Sequence, residues 1–274
     1  MIKYFSIFFI SLLGYSQKKI RVLDEQTSSP VSYANVWKEN KIFTATDSLG
    51  YFISNQNNNV NYKITAIGYN EKYINSTDSI ILIAPKENLL EEVKIYKPKY
   101  LHITKYGYVK KATFIGVNFD ATTPEFIKFI PNESIKSELT FINFISFYTN
   151  TTSKKRKINI IFYSVGKDGK PYKNINDENI ICNLKKGKNI NKIDLKKMKI
   201  TFPKEGIFIG IQHLLIEENK YYPTTNNPNG KSFCYEPFLS ATQNPIKYDS
   251  WNMINGLWEI NKWFSLNLEV EISD

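Results

Sequence analysis

Histidine, cysteine and arginine are scarce in this chain of 274 residues, and each shortage removes a class of function. A zinc carboxypeptidase needs two histidines and a carboxylate converging on one metal. Here there are only His102 and His213, neither in a His-x-x-Glu or His-Glu-x-x-His setting. No Asp-x-Asp cluster offers calcium its oxygen ligands, so no metal and no cofactor are expected. Two cysteines, Cys182 and Cys234, make no disulfide framework; whether they pair is open, and no local motif makes either a nucleophile with a histidine. The only arginines are Arg21 and Arg156. Arginine is the preferred fork for phosphates and base edges, so nucleic acid is not an expected partner. There is no Gly-x-Ser-x-Gly elbow and no glycine-rich phosphate loop. No catalytic residue is singled out, and the chain is not expected to be an enzyme.

Long apolar runs are also missing, except at the start. "MIKYFSIFFISLLGYS", residues 1–16, has one lysine, an apolar stretch and small residues near its end. That is the layout of a cleaved secretory signal, too short for a comfortable membrane span of roughly 20 residues. The expected location is the periplasm, the periphery of an outer membrane or the cell surface.

What is present is β-structure and lysine. The net charge is +10. Residues 17–96 carry nine basic and nine acidic groups, residues 97–200 carry 21 against 8, and residues 201–274 carry 5 against 9. The basic excess includes "KKRK" (154–157) and "KKGK" (185–188) and reads as a solvated lysine-rich surface, with an acidic polymer or anionic membrane as the other option.

Alternation and turn residues predict strands at 18–24, 31–37, 50–55, 61–69, 79–85 and 91–99, a spacing that suits a small β-sandwich. Further strands are predicted at 134–149, 157–165, 197–203, 206–218 and 265–273, with "GKDGKP" (166–171) as a turn. The division that follows is a signal (1–16), a first sandwich (17–96), a linker or first strand (97–111) and a second, larger sandwich (112–274).

Four ordered stretches carry a resemblance: "VLDEQTSSPVSYANVW" (22–37), "TATDSLGYFI" (44–53), "YKITAIGY" (62–69) and "LLEEV" (89–93). Asp47 and Gly50 suit a tight hairpin, and Gly68 a bulge or strand end. These stretches resemble the carboxypeptidase regulatory-like domain, which implies a non-catalytic, seven-stranded transthyretin/Ig-like sandwich. Such domains often precede the plug of TonB-dependent receptors; with no plug-like continuation after residue 96, a stand-alone exported relative is the expectation here. Residues 157–218 resemble, more weakly, the later strands of jelly-roll modules on bacterial surface proteins. The expected fold class is therefore all-β, a transthyretin-like sandwich followed by a jelly-roll-like one.

The binding signal is aromatic. Tyr248, Trp251, Trp258 and Trp263 fall close together, and exposed aromatic faces stack on sugars or anchor proteins. Core packing is the alternative for them. Glu217, Glu218, Glu236 and Asp249 qualify as acid–base groups by residue type alone and read as surface charge. The leading expectation is an exported envelope protein with a structural or binding role. Its partner would be an envelope protein or a glycan, with peripheral outer-membrane contact as a further option; its oligomeric state is open. The alternatives are a carbohydrate-binding module of a polysaccharide-uptake system and a hydrolase.

Overall fold

The computed structural model describes residues 18–54, 60–86, 103–110, 113–117, 123–132, 140–223, 233–243 and 249–273. The signal-like segment, "LLEEV", the strand expected at 91–99, His102 and Tyr248 lie outside them. The described chain is all-β, with two short 3-10 turns as its only helical pieces.

The first sandwich contains β1 (Lys18–Asp24), β2 (Asn35–Lys38), β3 (Lys41–Ala45), β4 (Tyr51–Ser54), β5 (Asn61–Thr65), β6 (Lys72–Asn75) and β7 (Ile80–Ile83). Three strands form one sheet, β4-β1-β7, and four form the other, β3-β2-β5-β6. Alternation drives this: Ile20 and Val22 of β1, Phe52 of β4 and Ile81 and Ile83 of β7 turn inward onto Val36, Tyr62, Ile64 and Ile74. The β3–β4 connection is closed by Asp47, whose Oδ1 accepts from the Leu49 and Tyr51 amides at 2.9 and 2.8 Å. Gly50 there has φ +77°, and a Cβ would sit 2.5 Å from the Val22 carbonyl oxygen, so glycine is required on both counts.

The second sandwich contains β8 (Ile103–Gly107), β9 (Thr113–Val117), β10 (Glu125–Ile130), β11 (Phe141–Thr151), β12 (Lys157–Val165), β13 (Pro171–Asn174), β14 (Ile180–Asn183), β15 (Gly187–Asp194), β16 (Ile207–His213), β17 (Lys220–Tyr221), β18 (Cys234–Gln243), β19 (Ser250–Ile254), β20 (Leu257–Ile260), β21 (Phe264–Leu266) and β22 (Leu268–Ser273). One sheet runs β13-β12-β16-β10-β19-β20, with β14 also on β12; the other is built around β18-β11-β22-β8, with β9, β15, β17 and β21 attached. Ile142, Ile145 and Phe147 of β11 meet Ile158, Ile160 and Phe162 of β12 and Ile207, Ile209 and Ile211 of β16 in one core. The strand expected at 197–203 is instead a 3-10 turn, Lys196–Met198, ended by Lys199 at φ 51°. Only Thr201 keeps a bridge there, to Phe141.

Among the described residues no ladder joins the two sandwiches; they meet along the β3 edge. The Thr44 hydroxyl and the Ala45 amide both donate to the Leu215 carbonyl, at 2.9 and 3.1 Å. Ile42 packs with Leu215 and Tyr235, and Ala45 with Leu214 and Ile216.

Candidate functional site

Beside this seam the sandwiches leave a cleft of about 490 Å³. From the first sandwich it is lined by Tyr33, Asn35, Trp37, Thr65 and the turn 66–68, with Lys86 at its margin. From the second come Glu125, Tyr163, Gln212, Lys173, Asn174, Asp177 and their neighbours, with Met253. The mix of one indole, two phenols and several planar amides combines apolar faces with directional hydrogen-bonding groups.

The second-sandwich wall follows from strand register. Glu125 of β10, Gln212 of β16 and Asn159 of β12 stand directly opposite one another. Their neighbours Phe126, Ile211 and Ile160 turn into the core, so period-two alternation puts the three polar residues on the outer face. Two residues further along lie Ile127, Gly210 and Ile161, then Phe129, Phe208 and Tyr163. A Cβ at Gly210 would meet the Phe126 carbonyl oxygen at 2.3 Å, so this position accepts no side chain.

The hydrogen bonds of the polar row have a fixed direction. The Ile180 amide, which can only donate, gives its proton to Asn159 Oδ1 at 2.8 Å. Asn159 therefore presents its amino group to Gln212 Oε1 (3.1 Å) and Asn179 Oδ1 (2.9 Å). Gln212 Nε2 in turn donates to Glu125 Oε1 at 2.8 Å. The Tyr163 hydroxyl donates to Glu125 Oε2 at 2.8 Å. Glu125 is 3% exposed, and burial pushes its carboxyl up to about 7 against the pull of the Tyr163 and Gln212 hydrogen bonds. Burial and then the Glu125 charge raise the Tyr163 phenol well above its ordinary value, so it remains a neutral donor.

Asn179 Nδ2 also crosses to the first sandwich, donating to the Ser32 carbonyl at 3.2 Å, and Lys157 Nζ reaches the Tyr33 hydroxyl at 3.3 Å. Trp37 is oriented by its indole N–H, which donates to Thr65 Oγ1 at 2.8 Å.

The three tryptophans singled out from the sequence, all among the described residues, do not line one common groove. Trp251 is buried edge-on to Phe208, with centroids 6.0 Å apart. Trp258 is half-buried edge-on to Tyr163 at 5.0 Å, and both belong to the apolar layer of Ile127, Ile161, Tyr163 and Phe208. Trp263 stands apart and exposed. The β19–β20 hairpin thus supports Tyr163 from the side, while its Met253 reaches the cleft.

A second cavity of about 580 Å³ touches Trp251, Tyr106, Tyr108 and Phe208. Its buried Lys128 is engaged by Ser265 Oγ (3.0 Å), the Leu266 carbonyl (3.1 Å) and Asp249 Oδ2 (3.3 Å).

Two charges read as surface groups are buried. Glu236 is fully buried and paired with Arg156, the arginine of "KKRK". An arginine fork can satisfy a buried carboxylate where a lysine point charge cannot match its geometry. Cys182 and Cys234 are separate buried thiols, and burial raises both. His213 is buried as well, with Nε2 donating to the Pro237 carbonyl at 2.9 Å. Among the described residues no group of His, Cys, Asp and Glu is arranged to hold a metal ion, and no helix is long and apolar enough to cross a membrane. Glu125 escaped the sequence reading because "EFIKFI" contains one isolated acid. The signal available was a carboxylate at the head of a strand whose only other polar residue is Lys128.

No protein-family model matches the chain, and no curated protein matches it either. Among solved structures it is similar to a clostridial cysteine protease, Cwp84, after propeptide cleavage: TM-score 0.43, 11% identity, covering 81% of this chain and 54% of that one. It is similar also to the cysteine protease and lectin-like domains of Cwp84 from Clostridium difficile (TM-score 0.38, 10% identity, 94% of this chain and 62% of that one). A third similarity is to infectious bursal disease virus, Gx strain (TM-score 0.29, 10% identity, 88% and 54%). The chain spans less than two thirds of each, and likenesses of this size assign neither a family nor an activity.

Proposed function

We propose that this chain is an exported, non-catalytic binding protein of a bacterial envelope that holds a glycan between its two sandwiches. In this reading the first sandwich is of the carboxypeptidase regulatory-like kind and acts as a rigid adaptor that supplies one wall of the site. The observation that carries the reading is the cleft, where Trp37 and Tyr33 face a wall of amides and one buried carboxyl. Saccharides present apolar ring faces edged by hydroxyls, and aromatic rings flanked by planar hydrogen-bonding groups complement both.

The test is binding of the purified chain to an array of neutral and acidic oligosaccharides, followed by calorimetry. Binding to at least one saccharide class is expected, weakened about tenfold or more by Trp37→Leu or Asn35→Ala, a loss of roughly 1.4 kcal/mol. Absence of binding across the array, or binding indifferent to both substitutions, overturns the reading. One observation favours a second reading, a hydrolase: a carboxyl held near neutrality in a cleft is a typical general acid. Release of reducing ends from a bound oligosaccharide, abolished by Glu125→Gln, would establish that reading instead.

A further inference from the structure

We propose that Glu125 is the ligand-recognition residue of the cleft, taking hydroxyl donors of a neutral polyhydroxylated ligand on its ionised carboxylate, so that ligand binding expels a proton. This rests on the glycan reading above and adds to it the identity of the contact and its linkage to pH.

An ionised carboxylate has about four acceptor sites. Gln212 and Tyr163 occupy two of them. Because the Ile180 amide fixes Asn159, and Asn159 fixes Gln212, Oε1 faces an amino group and must act as an acceptor. The carboxyl proton is thereby confined to Oε2, beside the Tyr163 hydroxyl. Glu125 lines the cleft, so its remaining capacity meets whatever enters. A desolvated anion gains most from an added donor, because hydrogen bonds to charged groups are the strong ones. Saccharide hydroxyls are such donors; an acidic sugar would instead bring a second anion against the carboxylate.

Other charged groups at the cleft are Lys86 beyond β7, Lys173 on β13 and Asp177 on the β13–β14 connection. Tyr163 faces Glu125 from β12. His213, next to Gln212 on β16, is held down to about 4 by burial, away from the range in which Glu125 titrates. With the carboxyl at about 7, a ligand that selects the ionised form binds more tightly as pH rises and then levels off. At pH 6 roughly one molecule in ten is ionised and at pH 8 about nine in ten, so affinity should differ by about tenfold.

The experiment is calorimetry of the full chain with maltohexaose, cellohexaose and mannohexaose at pH 6 and pH 8, each in two buffers of different ionisation enthalpy. Expected for a hexaose that binds are about tenfold tighter binding at pH 8 and release of close to one proton at pH 6. In Glu125→Gln both effects should vanish; the proton count on the unsubstituted chain makes the test independent of that variant's folding. Binding that is equal at both pH values and releases no proton overturns the role of Glu125 while leaving the cleft reading intact. Failure of all three hexaoses at both pH values overturns the role proposed for Glu125 with neutral saccharides, while the glycan reading falls only if the whole array of neutral and acidic oligosaccharides fails.

Discussion

Among its described residues the second sandwich buries two glutamates, and their partners differ in charge. Glu236 is fully buried against Arg156, and its oxygens also accept from the Thr152 amide and hydroxyl at 3.0 Å each. Glu125, almost as buried, is held by the neutral donors Gln212 and Tyr163. A guanidinium meets a buried carboxylate with a full opposite charge and makes it part of the frame. Neutral donors leave it balanced between two protonation states, which suits a group that meets a ligand.

The largest effect should come from separating the first pair. Arg156→Met leaves the Glu236 charge in the interior with only the Thr152 donors, and the expected loss is about 3–5 kcal/mol in urea unfolding. Replacing both residues, Arg156→Met with Glu236→Leu, should restore much of it. A loss near zero for the single variant would place Glu236 in the same class as Glu125.

The next effect is a pH dependence hidden in the unsubstituted protein. The folded state raises Glu125 from 4.5 to about 7, so it binds more protons than the unfolded chain and stability falls as pH rises through that window. His213 is lowered from 6.5 to about 4, so stability rises with pH through an overlapping window and is lost on acidification. Each swing is on the order of 3 kcal/mol, with opposite sign. Between pH 4.5 and 6.5 the two should nearly cancel. Glu125→Gln should uncover a stability that climbs from pH 4 to 6.5; His213→Gln should uncover one that declines from pH 4.5 to 7. Urea midpoints measured at half-unit steps would check this, and parallel curves for the two variants would contradict it.

The fold was legible where local chemistry and alternation agree. The β1 and β12 ranges match their expected spans, 18–24 and 157–165, because their alternate residues enter a core. The Asp47–Gly50 turn was readable from residue type, since aspartate bonds the following amides and glycine accepts a positive φ. β15, "GKNINKID", is not legible as a strand because no position in it is buried, asparagine alternates with Ile193 on its half-buried face, and β11 supplies its pairing. The candidate site was less legible still. Glu125, Gln212 and Asn159 are far apart in the chain and become a row only through register. Trp251 and Trp258 drew notice as aromatic side chains, yet they pack behind Tyr163.

The smallest effect separates the direction of the amide relay from its length. Asn179→Ala removes the acceptor for one Asn159 hydrogen and the bond to the Ser32 carbonyl, at a cost of about 1 kcal/mol. Asn159 is still fixed by the Ile180 amide, so Gln212 keeps its amino group toward Glu125, and the carboxyl should titrate as before in a carbon-13 NMR titration. Asn159→Leu removes the element that sets direction. The Gln212 amide can then turn its oxygen to Glu125, a contact that favours the protonated acid, and the carboxyl should titrate higher. Equal titrations in the two variants would mean that Tyr163 alone holds the carboxylate, and that the row of amides serves the seam between the sandwiches rather than the acid at its end.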